Sequence, residues 1–88
     1  MSALTLQALN MAIGSIAFER EMLLMRIGSV PPTVADEEQL ADQVLLLEQT
    51  LGEFRDVYQS KRSNLDKHPP YAAIVAEGVR SAREAFAR

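Results

Sequence analysis

The sequence predicts an all-α fold: a long antiparallel helical hairpin with a shorter third helix, assembled as an oligomeric helical bundle. Three observations lead there. Two Pro-Pro steps, at Pro31-Pro32 and Pro69-Pro70, cut the chain into three segments of helical pattern. Proline denies helix to the residue before it and removes an amide donor, so each pair marks a break. The first two segments carry apolar residues spaced alternately three and four apart, and the chain opens with eighteen residues that bear no charged side chain, "MSALTLQALNMAIGSIAF".

The 88 residues suit one domain, residues 1–88, with helices expected at about 3–28, 34–67 and 70–87. The first is expected to stop at Gly28, a residue suited to a left-handed cap. The second starts near Thr33 to Asp36, where "TVAD" or "DEEQ" offers a cap and Asp36, Glu37 and Glu38 face the positive end of the helix dipole. Lys61, Arg62 and Lys67 stand at its other end, where cations are favoured. Pro70 is acceptable at the first position of the third helix, which runs to the end of the sequence.

Spacing pairs the first two helices. Leu6, Leu9, Ile13, Ile16, Arg20, Leu23 and Ile27 form one coiled-coil seam, and Leu40, Val44, Leu47, Leu51, Phe54, Tyr58, Lys61 and Leu65 form another. Folded antiparallel, Ile27 meets Leu40, Leu23 meets Val44, Ile16 meets Leu51 and Leu9 meets Tyr58, the two residue numbers of each pair adding to 67. Arg20 falls opposite Leu47, from where its guanidinium is expected to reach Glu48 and fix the register. On the third helix Tyr71, Ile74, Val75, Gly78, Val79, Ala82, Ala85 and Phe86 share an arc with small residues at its middle, so its backbone can approach a neighbouring helix closely.

Composition narrows the function. Nine basic against twelve acidic side chains leave a net charge of -3, which offers a polyanion no overall attraction, so nucleic acid is not an expected partner. A regulatory nucleic-acid-binding role ranks last. Gln7, Asn10 and Ser15 interrupt the apolar opening and Glu19, Arg20 and Glu21 follow it, so no membrane span is expected, and the pattern lacks the basic n-region of a secretory signal. The absence of cysteine fits a reducing compartment, and a cytoplasmic location is expected.

Chemistry-bearing constellations are absent from the pattern. His68 is the one histidine, which excludes His-based metal sites and a Ser-His-Asp arrangement within one chain. The carboxylates of "DEEQLAD" lack the glycine and alternation of a cation loop and read as a solvated helix start. Neither catalytic residues, nor a metal, nor a cofactor is expected; the chain does not read as an enzyme.

What remains is a surface. Around the first helix, Leu4, Met11, Phe18, Met22 and Met25 collect nearly opposite the hairpin seam, which makes the helix apolar on two faces. A helix apolar all round is a buried helix, and the third helix is too short to cover it entirely. The expectation is a small protein–protein interaction module, a homo-oligomer and most simply a homodimer, acting as adaptor, assembly factor or structural subunit. The expected partner is the chain itself or another helical protein. The alternative is a partner-specific chaperone, including the secretion type.

Overall fold

A computed structural model describes residues 5–29, 34–62 and 68–87. They form three helices, α1 (Leu6–Ser29), α2 (Val34–Lys61) and α3 (Tyr71–Ala87), with no strand among the described residues. The fold is an all-α bundle in which α1 is the central element: it packs along both other helices, which barely meet each other.

The ends of the helices differ from the sequence expectation for local reasons. Helix α1 begins at Leu6 rather than near residue 3, because Thr5 caps it: its Oγ1 accepts the Ala8 amide at 3.0 Å and its carbonyl accepts the Leu9 amide at 3.0 Å. Gly28 does not terminate the helix. No described glycine has a positive φ, and α1 runs through Gly28 to Ser29. Helix α2 stops at Lys61, six residues before the expected end. There the chain turns back on the helix: the Tyr58 hydroxyl donates to the Pro69 carbonyl at 2.6 Å and Arg62 Nε donates to the His68 carbonyl at 3.0 Å. Pro70 lies just outside α3, and its carbonyl accepts the amides of Ala73 and Ile74 at 3.0 and 3.3 Å, closing the first turn. Thr33 and the side chains of Asp36 and Glu37, expected at the start of α2 as caps or dipole partners, lie outside the described residues, as do Leu65 and Lys67.

One core joins the three helices. Leu9 and Ile13 of α1, Leu51 and Tyr58 of α2 and Ile74 of α3 are buried together, with Leu6, Ile16, Phe54, Tyr71 and Val75 packed around them. The N-terminal half of α1 thus meets the C-terminal half of α2, which makes the pair antiparallel. Buried positions on α2 recur every seven residues, at Val44, Leu51 and Tyr58, as the seam requires. On α1 they recur every four, at Leu9, Ile13, Ala17 and Glu21. That row drifts around the helix from the α2 side to the α3 side, because α3 covers the second half of it.

Helix α3 runs parallel to α1: Ile74 and Gly78 lie against Gly14, Ala17 and Phe18, and Arg83 reaches Glu21. Glycine at 78 is a packing requirement. A Cβ there would lie 2.7 Å from the Gly14 carbonyl oxygen, 3.0 Å from the Ala17 Cβ and 3.2 Å from the Phe18 amide nitrogen. Ala82, one turn on, is fully buried, whereas Ala85 and Phe86, on the same arc, are exposed at the end of the helix.

Candidate functional site

Three faces of α1 have three different surroundings. At 100° per residue, Leu9, Ile13 and Ile16 point toward α2, Gly14, Ala17 and Glu21 point toward α3 roughly a third of a turn away, and Met11, Ser15 and Met22 occupy the remaining side. That third side borders an open groove of about 920 Å³ between α1 and α3.

The groove follows from the sequence of its two walls. Gly78 lets the two backbones come together, and Gly14 and Gly78 both lie in the groove's lining. Met11, Phe18 and Met22 form the α1 wall, and Ala73 and Ile74 form the α3 wall, with Pro69 nearby. Asn10, Ser15, Glu19, Glu77 and Ser81 complete the lining with polar groups. The lining runs from Asn10 to Met22 along α1 and from Ala73 to Ser81 along α3.

Electrostatics add one ion pair beneath the surface and one network upon it. Glu21 is buried, and Arg83 Nε donates to its Oε2 at 3.0 Å; the guanidinium side chain remains 69% exposed and the carboxylate side chain 12%. This pair ties α3 to α1 across 62 residues of sequence. On the exposed side of α3, at the edge of the groove, Arg80 binds both Glu77 and Glu84, each one helical turn away, with Nη1 to Glu84 Oε1 at 2.6 Å. The Arg80 hydrogen bond holds the Glu77 carboxyl below its ordinary value, and the two carboxylates push the Arg80 guanidinium up.

The residues singled out for an interface are thus placed as follows. Met11 is 67% exposed; Phe18, Met22 and Met25 are half-buried. Met11, Phe18 and Met22 come together along the groove, while Met25 is not in its lining. Leu4 lies outside the described residues.

Arg20 and Glu48 do not form the expected register pair among the described residues. Glu48 points to solvent, and the half-buried Arg20 holds its Nε in the interior with no hydrogen-bond partner among them. The acid that α1 buries is its neighbour, Glu21, and that acid turns to α3 instead.

The α3 wall was not anticipated as part of a binding surface, because its apolar arc reads as wholly committed to the core. The groove uses the edge of that arc, which becomes visible only when Gly78 sets how closely the helices approach. Exposed Leu45 and Leu46 on α2, at 53% and 62%, were likewise not anticipated, since the seam residues on either side of them absorb the heptad pattern. Among the described residues, no helix is long and apolar enough to cross a membrane. No protein-family model, curated protein or solved structure matches this chain.

Proposed function

We propose that this chain is a small helical protein–protein interaction module, an adaptor, assembly factor or structural subunit, that docks a helix on the third face of α1. The partner is a further copy of itself in first place, or another helical protein. The observation that carries this reading is the groove: Met11, Phe18 and Met22 line it with Ile74, and Met11 is 67% exposed in a single chain. Burying a large apolar side chain contributes about 1.5 to 3 kcal/mol, so a face bearing several of them is a strong source of association free energy. Under this reading the chain is not an enzyme, uses no cofactor, has no nucleic-acid partner and works in the cytoplasm. Its negative net charge supports the lack of a nucleic-acid partner, and its lack of cysteine fits the cytoplasm.

The runner-up, a chaperone for one partner, draws support from Leu45 and Leu46, which offer a second apolar surface on α2 away from the groove. Light scattering tests the main reading. Met11→Glu and Phe18→Glu should reduce the native assembly to monomers while circular dichroism stays helical, and Gln59→Glu, on the exposed side of α2, should leave it intact. A native chain that is a well-dispersed monomer at micromolar concentration would overturn self-assembly.

A further inference from the structure

We propose that the occupant of the groove is α1 of a second copy, laid antiparallel about a two-fold axis that passes between Ile16 and Ala17. This inference rests on the interaction-module reading above and names the partner and its register. The third face of α1 carries Ala8, Met11, Ser15, Phe18, Met22 and Met25, with steps of three, four, three, four and three. That series reads the same in both directions. An antiparallel copy therefore places each position opposite another member of the same stripe: Met11 against the partner's Met22, Ser15 against the partner's Phe18, and Ala8 against the partner's Met25. In every pair the residue numbers add to 33, and in two of the three a small residue faces a large one, as interdigitated helices require.

Charge selects the direction. The exposed charges of α1 are Glu19 and Arg26, both in its second half; the first half carries the polar residues Gln7, Asn10 and Ser15 and bears no charge. In the antiparallel pair Glu19 falls opposite Gly14 and Arg26 opposite Gln7 of the partner subunit, so no like charges meet. A parallel pair would set Glu19 beside its own copy and Arg26 beside its own copy, and would align the two helix dipoles unfavourably. Isologous two-fold contact also needs nothing beyond one self-complementary patch. With α2, α3 and the partner's α1 on its three sides, α1 becomes a helix covered all round.

The chain contains no cysteine, so introduced thiols report the register without background. Two full-length variants, Met11→Cys and Met22→Cys, are purified separately, mixed, and oxidised. The mixture should yield a disulfide-linked dimer and each variant alone should yield at least tenfold less. Ala8→Cys mixed with Met25→Cys should behave the same way and serves if the first pair folds poorly. Crosslinking of Met11→Cys by itself would overturn the antiparallel arrangement. Failure of both mixtures to crosslink, with an oligomer still broken by Phe18→Glu, would overturn the register and leave the interaction-module reading standing; a monomeric native chain would overturn self-assembly and this register with it.

Discussion

Replacing Gly78 by alanine tests the packing that creates the groove. In an ordinary helix interior the change stabilises by about 1 kcal/mol, because alanine loses less backbone entropy. Here the new methyl group would sit 2.7 Å from a backbone carbonyl oxygen and 3.2 Å from a backbone amide nitrogen, neither of which can rotate away as a side chain could. Helix α3 must shift outward and give up part of the packing of Ile74 and Ala82. Overpacking of this kind costs about 1 to 3 kcal/mol, and against two unyielding backbone atoms the cost falls in the upper part of that range, about 2 to 3 kcal/mol, which leaves a net loss of about 1 to 2 kcal/mol. For a chain of this size that lowers the melting temperature by roughly 4 to 16 °C, measured by circular dichroism at one fixed protein concentration. Two sister variants supply the contrast. A Cβ at Gly14 meets only the Ile74 Cγ2 at 3.8 Å, and one at Gly52 meets nothing within 4 Å, so Gly14→Ala and Gly52→Ala should stabilise by about 0.5 to 1 kcal/mol. If Gly78→Ala melted no lower than the native protein, the close approach of α1 and α3 would be refuted.

Three further outcomes follow from the electrostatics. Arg83→Glu should destabilise by about 1 to 2 kcal/mol, since it removes a charge-assisted bond from buried Glu21 and sets a like charge beside it; the exposed guanidinium keeps the figure at the low end. A double-mutant cycle with Glu21→Gln and Arg83→Met showing no coupling beyond about 0.5 kcal/mol would contradict the pairing. Arg20→Met should be neutral or stabilise by up to about 1 kcal/mol in urea unfolding, because it keeps the packed stem and removes a buried donor that lacks a partner among the described residues; a loss above 1 kcal/mol would mean that the guanidinium is satisfied. Glu77 has its pKa lowered in the folded chain, so its contribution is present above its unfolded value and is lost as pH falls through the folded one. Arg80→Met should therefore raise the Glu77 carboxyl midpoint in an NMR titration, and an unchanged midpoint would remove Arg80 as the cause.

The hairpin was legible because its signal is periodic and local. Leu9, Ile13, Val44, Leu51 and Tyr58 repeat at the spacing of a seam, and all five are buried. The docking of α3 through Gly78 and Ala82 was also legible, since small residues in the middle of an apolar arc have one common use. Features that depend on the third helix's placement were not. Ala17 and Glu21 lie off the α2 seam and are buried only because α3 runs parallel to α1 on that side. Nothing local links Glu21 to Arg83, and the seam pattern points instead to the nearer pair, Arg20 with Glu48. Gly28 carries a cap's identity but keeps a helical φ, and α2 ends at Lys61 because Pro69 and His68 fold back onto Tyr58 and Arg62, a contact no propensity encodes. Of the candidate interface, Met11, Phe18 and Met22 were visible as a stripe, while the Ala73 and Ile74 wall required the structure.

The central claim is that the third face of α1 is covered by protein in the working state, and oxidation of Met11 measures that coverage directly. A thioether open to solvent reacts with peroxide, and one packed against another helix is shielded. In an isolated chain Met11 is far more exposed than half-buried Met22 and Met25. In the native protein at micromolar concentration, mass spectrometry of peptides should find Met11 oxidised no faster than Met22, and at least tenfold faster once Phe18→Glu has separated the chains. Oxidation of native Met11 at the rate of free methionine, unchanged by Phe18→Glu, would contradict the account.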